Sequence, residues 1–155
     1  MALEIERKFR VISADWKQHA VNRRHLRQAY LAKNERISLR VRIDGTEAAT
    51  LTIKTVEAGI ERHEYEYAVP VADAEELLTR CEGVVVSKTR HIVQLGDLTW
   101  EVDVFEGENA GLVIAEVELD RADRPLERPA WLGEEVTDDR RFYNAELANR
   151  PYSRW

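Results

Sequence analysis

The residues most able to do chemistry are charged side chains that recur at every second position along several segments of the chain. The first segment carries Glu4, Glu6 and Lys8. Because residues i and i+2 of a β-strand point to the same side, this spacing predicts a strand with one charged face and one apolar face. The same spacing recurs in Arg40/Arg42, Thr50/Thr52/Lys54, Arg62/Glu64/Glu66, Lys88/Arg90, Glu101/Asp103 and Glu116/Glu118.

These charged faces admit two interpretations. A single antiparallel strand most often turns its polar face to solvent and its apolar face to the core, and for any one segment that is the simpler interpretation. Surface faces, however, usually mix charged residues with Ser, Thr, Asn and Gln, whereas here the charged spacing returns in strand after strand. This recurrence favours an enclosed polar cavity in which basic groups and carboxylates face each other across a barrel.

The types of these residues indicate what such a cavity would bind. Clustered carboxylates raise one another's pKa unless a cation neutralises them, and oxygen ligands alone suit Mg²⁺ or Mn²⁺ rather than zinc. Arginine side chains match phosphate oxygens in a bidentate manner. The carboxylates are Glu4, Glu6, Glu116 and Glu118, and the basic residues are Arg40, Arg42, Lys54, Lys88 and Arg90. The combination predicts a polyanion bridged to metal and held by arginines, which is the arrangement that phosphoryl transfer needs.

The elements that must position these residues are predicted to be mostly strands. Alternation and turn signals predict strands over 3–11, 26–32, 37–43, 49–54, 61–69, 84–90, 92–95, 99–105 and 113–119. Helices are predicted over 15–24, 74–80 and 141–148, and the tail through Pro125, Pro129 and Gly133 is predicted to be loop. About eight strands joined by short turns predict a mainly β (α+β) fold in one domain, residues 1–155: an antiparallel closed or nearly closed barrel with accessory helices.

The composition argues against several classes of protein. The chain has 155 residues and a net charge of −6, which disfavours a nucleic-acid partner bound on a broad basic surface. Its longest apolar runs are far too short to span a membrane. The single cysteine, Cys81, excludes an internal disulfide and suits a reducing cytoplasm. No segment announces a subunit interface, although an uncovered strand edge or an apolar outer patch could support a homodimer.

The segment Glu4–Phe9, with the sequence EIERKF, resembles the ExExK signature of CYTH domains, also called triphosphate tunnel metalloenzymes. The closing residues 135–148 resemble the tail of the short, single-domain bacterial members. Further matches follow in order along the chain: Arg27 to Leu31, Arg40 to Arg42, Thr52 to Lys54, Arg62 to Glu66, Lys88 to Arg90, Glu101 to Phe105 and Glu116 to Leu119. ExExK alone would match many charged strands, but the ordered set is specific.

This resemblance implies an eight-stranded antiparallel β-tunnel that binds a triphosphate compound together with Mg²⁺ or Mn²⁺. It assigns metal-side carboxylates and phosphate ligands by position. The implied carboxylates are Glu4, Glu6, Glu116 and Glu118, and the implied phosphate ligands are Lys8, Arg40, Arg42, Lys54 and Arg90.

The remaining roles concern proton transfer and support. Lys88 is the implied general base, since a lysine crowded by other cations has a lowered pKa and can take a proton from water; Glu6 is counted with it as catalytic. Asp103 is expected to bind metal or to orient a basic partner. The supporting residues are Arg62, Glu64 and Glu66, of which the two glutamates are expected to orient the arginines.

Three functions fit these expectations. The first is a hydrolase that acts on inorganic tripolyphosphate or a related triphosphate, with one metal ion holding the substrate and a second activating water. The second keeps the fold but changes the chemistry, because members of the family include class IV adenylyl cyclases and thiamine triphosphatases. The third is a non-catalytic module that binds polyphosphate or a nucleotide, and simple anion binding would not need the metal-side carboxylates.

Overall fold

The computed structural model describes residues 2–56 and 60–155. The α-helices of this part of the chain are α1 (Val71–Leu78) and α2 (Asn144–Asn149), and 3₁₀ helices span Asp15–His19, Gly107–Asn109, Arg140–Phe142 and Tyr152–Arg154. The strands are β1 (Ala2–Val11), β2 (Ala20–Lys33), β3 (Ile37–Asp44), β4 (Ala48–Thr55), β5 (Glu61–Ala68), β6 (Glu82–Leu95), β7 (Leu98–Phe105), β8 (Val113–Glu118) and β9 (Leu132–Glu135).

Strands β1 to β8 form a closed antiparallel barrel. Their order around it is β1-β5-β4-β3-β2-β6-β7-β8, and β8 returns to β1. The first residues of β1 pair with β5, where Leu3 faces His63, and from Glu6 onwards β1 pairs with β8. The predicted eight-stranded antiparallel barrel is therefore confirmed. Strand β9 lies outside the closed circle and pairs with β1 at Phe9 and Val11.

Around its central cavity the barrel carries charged side chains inside and apolar side chains outside. On β1, Glu6 and Lys8 line the lumen, whereas Phe9 is fully buried in an apolar cluster on the opposite face. There the ring centroid of Phe9 lies 5.8 Å from that of Trp100, which in turn lies 5.6 Å from that of Trp131. The segment that follows β8 thus covers this part of the barrel wall with an aromatic core.

Helix α1 covers a second part of the outer wall. Its residues Ala74 and Leu78 pack with Val41 and Ile43 of β3. The helix begins directly after Pro70, a few residues earlier than predicted. Proline lacks an N–H, and the N–H groups at the start of a helix have no partner within it, so Pro70 interrupts nothing there.

Helix α2 and the 3₁₀ turn before it close one end of the barrel. Phe142, Leu147 and Ala148 are buried in a third apolar cluster with residues of β6, β7 and β8. Gly83, at the start of β6, has φ +75°, and a Cβ atom at this position would lie 2.1 Å from the carbonyl oxygen of Ala148. Because only glycine allows this approach, the sequence seats α2 directly on the barrel wall.

Two predicted boundaries on the long strands were wrong. The helix predicted over 15–24 stops as a 3₁₀ turn at His19, and strand β2 begins at Ala20. From there the chain pairs with β6, with His25 opposite Thr89, and this pairing overrides a weak local preference for helix. The strands predicted over 84–90 and 92–95 are one strand, because His91 pairs with Val102 without interruption.

The tail was also predicted incorrectly in part. The region around Gly133 forms strand β9, because β1 continues past β5 and offers a free edge to which Leu132 pairs at Val11. The helix predicted over 141–148 divides into a 3₁₀ turn, Arg140–Phe142, and α2, Asn144–Asn149. None of the described helices is long and apolar enough to cross a membrane.

Candidate active site

The lumen is a cavity of about 370 Å³ whose wall is mostly charged. The structure brings nearly all of the predicted site residues into it, from six different strands. Those that line it are Glu4, Glu6, Lys8, Arg40, Arg42, Lys54, Arg62, Glu64, Glu66, Lys88, Arg90 and Glu116. Asp103 lies beneath the wall, and Glu118, which is exposed, lies opposite Glu6 in the β1–β8 ladder.

One side of the lumen concentrates carboxylates. Glu6 faces Glu118 across β1 and β8, and Glu101 faces Glu116 across β7 and β8. Like charges directly opposite each other in a sheet are destabilising. The pKa of Glu118 is raised by partial burial and by the charges of Glu4 and Glu6, as expected for crowded carboxylates.

Lys54 is the cation that stands among these carboxylates. Its Nζ lies 3.0 Å from Glu4 Oε2, 3.7 Å from Glu6 Oε1 and 3.5 Å from Glu64 Oε2. Burial alone would lower the pKa of Lys54, but Glu6 and Glu4 together raise it. The sequence pattern placed Lys54 with the basic groups of the cavity; it lies instead on the acidic side, because β4 pairs with β5 and sets Lys54 opposite Glu64.

The carboxylate cluster fits a hard divalent cation by its chemistry. Its donors are oxygens, and burial together with Glu64 raises the pKa of Glu4 despite its ion pair with Lys54. Within residues 2–56 and 60–155, no three Asp, Glu, His or Cys side chains converge closely enough to hold a metal ion. In their present arrangement the glutamates surround the Lys54 ammonium group instead.

The facing side of the lumen concentrates arginines. Burial, together with the charges of Arg40 and Arg90, lowers the pKa of Arg42, so the guanidinium groups repel one another. Arg42 Nε donates to Gln28 Oε1 at 2.8 Å, and Arg40 Nη2 donates to Thr52 Oγ1 at 3.1 Å. Arg40 Nε is buried and has no hydrogen-bond partner. A crowded group of donors with one left unsatisfied is the environment that a phosphate group would complete.

Asp103 organises the base of the lumen. Its Oδ2 accepts hydrogen bonds from Lys88 Nζ at 2.7 Å and from Arg90 Nη2 at 2.9 Å, and its Oδ1 accepts from Arg90 Nε at 2.7 Å. Burial opposes ionisation of Asp103, but Arg90 and Lys88 outweigh it and keep the pKa of the carboxyl well below its ordinary value. Of its two predicted roles, metal ligand or orienting group, the contacts correspond to the second.

Lys88 is completely buried, at 0% exposure. Burial is the largest influence on the pKa of Lys88, and together with the charges of Arg90 and Arg42 it outweighs the opposing effect of Asp103, so that the pKa falls to about 7. With this pKa about half of the Lys88 amine is neutral at pH 7, and the neutral form can accept a proton. The structure therefore gives Lys88 the environment expected of a general base, the role that the sequence implies for it.

The supporting residues have different partners from those expected. Glu66 accepts a hydrogen bond from Thr52 Oγ1 at 3.3 Å, and Thr52 in turn accepts from Arg40, so Glu66 supports an arginine through one intermediary. Glu64 contacts Lys54 rather than an arginine. The guanidinium of Arg62 lies over the ring of Tyr143, 4.9 Å from its centroid.

Several residues of the site carry no signal that alternation could reveal. Tyr143 and Asn144 reach the cavity from the C-terminal segment, and Gln28 is a neutral residue that is fully buried behind Arg42. Tyr143 lies beneath Lys8, whose Nζ is 5.2 Å from the ring centroid. Glu101, which also lines the cavity, forms an ion pair of 3.0 Å with Arg90. Of these residues only Glu101 follows the alternating pattern, because it stands two positions from Asp103 in the sequence.

The closed antiparallel tunnel and its divided, highly charged lumen define a tunnel-type β-barrel protein with a polar interior. The chain belongs to the CYTH domain family, whose model matches residues 2–146. It is 42% identical over 153 residues to an inorganic triphosphatase of Acetivibrio thermocellus, covering 98% of this chain and 97% of that protein.

Two further proteins are similar to this chain over almost its whole length. An inorganic triphosphatase of Nitrosomonas europaea is 43% identical over 150 residues, which cover 94% of this chain and 96% of that protein. The crystal structure of the inorganic triphosphatase NE1496 matches with a TM-score of 0.71 and 37% identity, covering 96% of each chain. The similarity in both sequence and structure therefore extends along almost the whole chain.

The ion pair between Glu116 and Lys8, 3.2 Å long, generates a prediction about acid stability. Burial alone would raise the pKa of Glu116, but Lys8 and Arg90 lower it to about 2, from an ordinary value of 4.5. A depressed pKa stabilises the fold above the ordinary value, and this contribution is lost as the pH falls from 4.5 towards 2. We expect Glu116→Gln to lower the free energy of unfolding at pH 7 by about 3 kcal/mol, and the deficit to shrink as the pH falls below 4.5.

Urea unfolding of both proteins between pH 7 and pH 3 measures this difference. The matched control is Glu82→Gln, the same substitution at an exposed position of β6, which we expect to change the free energy of unfolding by less than about 0.5 kcal/mol. A Glu116→Gln deficit that stays constant over this pH range would contradict the assignment.

Proposed function

We propose that this protein is a metal-dependent triphosphatase that hydrolyses inorganic tripolyphosphate, or a related triphosphate, inside its tunnel. The observation that carries the proposal is the division of one cavity into a carboxylate cluster and a facing group of crowded arginines. A triphosphate with a divalent cation neutralises both halves at once. The two relatives that are 42% and 43% identical over nearly their whole length are inorganic triphosphatases, which supports the same chemistry here.

The proposed cofactor is Mg²⁺ or Mn²⁺, with two ions in the cavity. The residues best placed to hold them are Glu4, Glu6 and Glu118, whose oxygens suit hard cations, with Glu116 as the further carboxylate that the sequence implies. When bound, a divalent cation supplies charge neutralisation and a more acidic water molecule. These assignments rest on donor chemistry and on the pKa values of Glu4 and Glu118, which burial and the neighbouring carboxylates raise.

The protein's own residues would position the substrate and move the proton. Arg40 and Arg42 would bind phosphate oxygens, and Arg90, held in place by Asp103, would add a third guanidinium from the base of the lumen. Neutral Lys88 would accept a proton from the attacking water. Because positioning and electrostatic stabilisation account for most of the acceleration in phosphoryl transfer, rigid placement of these cations is the main contribution of the tunnel.

Incubation with tripolyphosphate tests the proposal. With Mg²⁺ or Mn²⁺ present, we expect phosphate and diphosphate to appear in equal amounts, and EDTA to abolish their release. Glu6→Gln should lower kcat by at least about 100-fold, whereas Glu82→Gln, an exposed control, should match the wild type.

The same experiment separates the alternatives. With ATP as the substrate, formation of cyclic AMP would favour a cyclase, and preferential hydrolysis of thiamine triphosphate would favour that phosphatase. Tight binding of tripolyphosphate without turnover in either metal would indicate a binding module and would contradict the proposed hydrolysis.

The position of Lys54 leads to a prediction about metal binding that does not depend on activity. Its ammonium group occupies the centre of Glu4, Glu6 and Glu64, so it must compete with a divalent cation for the same oxygens. We expect Lys54→Met to bind Mn²⁺ about tenfold more tightly than the wild type when no triphosphate is present, because a competing positive charge has been removed.

Isothermal titration calorimetry with Mn²⁺ alone measures this effect. Lys17→Met provides the control, since it removes the same charge from an exposed position on the 3₁₀ turn. Unchanged or weaker binding of Mn²⁺ to Lys54→Met would show that the carboxylate cluster is not the cation site.

A further inference from the structure

The geometry points to Asn144 as a positioning residue that fixes the direction of the Lys88 amine. This inference rests on the proposed function, in which water attacks the terminal phosphorus and gives its proton to Lys88 Nζ. The bond from that phosphorus to the bridging oxygen then breaks, and its electron pair remains on the leaving diphosphate. Asn144 is the first residue of α2 and belongs to no predicted set of site residues.

Asn144 and Asp103 hold Lys88 from two directions. Lys88 Nζ donates to Asp103 Oδ2 at 2.7 Å and to Asn144 Oδ1 at 2.8 Å. A neutral lysine amine has two N–H groups and one lone pair, arranged roughly as a tetrahedron about the nitrogen. If both N–H groups are donated to these two oxygens, the lone pair occupies the remaining direction. Lys88 contributes to the lining of the cavity although it is closed to bulk solvent, and its proposed role requires this remaining direction to face the lumen.

The orientation of the Asn144 amide is determined by a chain of hydrogen bonds that begins at Arg42. A guanidinium can only donate, so Arg42 Nε requires the oxygen of the Gln28 amide, which accepts at 2.8 Å. The Gln28 amide nitrogen therefore faces away from Arg42 and donates to Asn144 Oδ1 at 3.3 Å. Asn144 must then present its oxygen, rather than its nitrogen, towards Lys88.

Helix α2 holds Asn144 in place through contacts that are remote from the lumen. Leu147 and Ala148 are 0% and 1% exposed and pack in the apolar cluster at the closed end of the barrel. The Ala148 carbonyl oxygen lies against Gly83, where a Cβ atom would approach to 2.1 Å. The helix is thus seated on the wall of the barrel, and its first residue is delivered to a defined position beside Lys88.

Asp103 and Asn144 therefore have different effects on the Lys88 amine. Asp103 is shared between Lys88 and Arg90, so it anchors the amine without determining its rotation about the Cε–Nζ bond. The second acceptor, Asn144, restricts that rotation. Without it, the lone pair would point towards the substrate water only part of the time, and displacements of about 1 Å in a catalytic group cost as much as 100-fold in rate.

Substitution of Asn144 by leucine, which has a similar size but accepts no hydrogen bond, tests the inference. We expect kcat for tripolyphosphate to fall about 10- to 100-fold while KM changes less than about twofold, since the arginines that bind phosphate keep their positions. Asn144→Ala should behave in the same way, and it provides a second variant if the leucine side chain prevents folding. Asn149→Leu, the same substitution at the exposed end of α2, is the control and should retain the wild-type kcat.

A double-mutant cycle distinguishes positioning of Lys88 from a general structural role. In a Lys88→Met background, Asn144→Leu should have no further effect on the residual rate, because the group that it positions has been removed. An undiminished effect in that background would overturn the inference, as would a wild-type kcat in both Asn144 variants or a change confined to KM. If the wild-type protein releases no phosphate at all, the proposed function fails first; if it hydrolyses tripolyphosphate but the Asn144 variants match it, only this inference fails.

Discussion

Ionised side chains inside a protein must be paired with charges or hydrogen-bonding groups, since an uncompensated charge away from water is costly. The barrel encloses an unusual number of them, and its interior is organised by how each is compensated. Asp103 pairs with Arg90 and accepts a hydrogen bond from Lys88 at the base of the lumen, and Glu116 pairs with Lys8. The charges of the carboxylate cluster and of the facing arginines are compensated only in part. A triphosphate bound with a divalent cation would compensate both.

This constraint also explains where the apolar core lies. In many small β-barrels the interior is filled with apolar side chains, but here that space is charged, so the strands must bury their apolar faces outside. The aromatic cluster around Trp100 and the packing of α1 on β3 are two separate solutions to this problem. The apolar cluster beneath α2 instead fills one end of the barrel, since Val86 and Phe105 lie on the same strand faces as Lys88 and Asp103. The accessory segments are therefore necessary parts of the fold, and α2 adds residues to the lumen as well.

The sequence predicts the barrel and its charged interior well, because both follow from alternation within single strands. It could not show how the strands come together. The register that sets Glu6 opposite Glu118, and Lys54 opposite Glu64, depends on pairing between distant segments. The end of the predicted helix at His19 and the formation of β9 also result from such pairing. Asn144 escapes prediction for a different reason, since an isolated asparagine at a helix start has no distinguishing pattern.

Several expectations from the sequence stay predictions. These include the identity and number of the metal ions, a homodimer, the absence of a nucleic-acid partner and a cytoplasmic location. The fold and the family, in contrast, rest on a closed strand order and on similarity along almost the whole chain. The difference is physical: a strand order is recorded in backbone hydrogen bonds, whereas a bound ion depends on the positions of a few side chains.

Anomalous diffraction from crystals grown with Mn²⁺ and a non-hydrolysable imido analogue of tripolyphosphate tests the central claim most directly. The account predicts Mn²⁺ peaks inside the tunnel, bound by oxygens of Glu4, Glu6 and Glu118. It also predicts phosphate oxygens within hydrogen-bond distance of Arg40 and Arg42. Manganese bound only outside the tunnel, or an analogue that lies away from the arginines, would contradict the assignment of the two sides of the lumen.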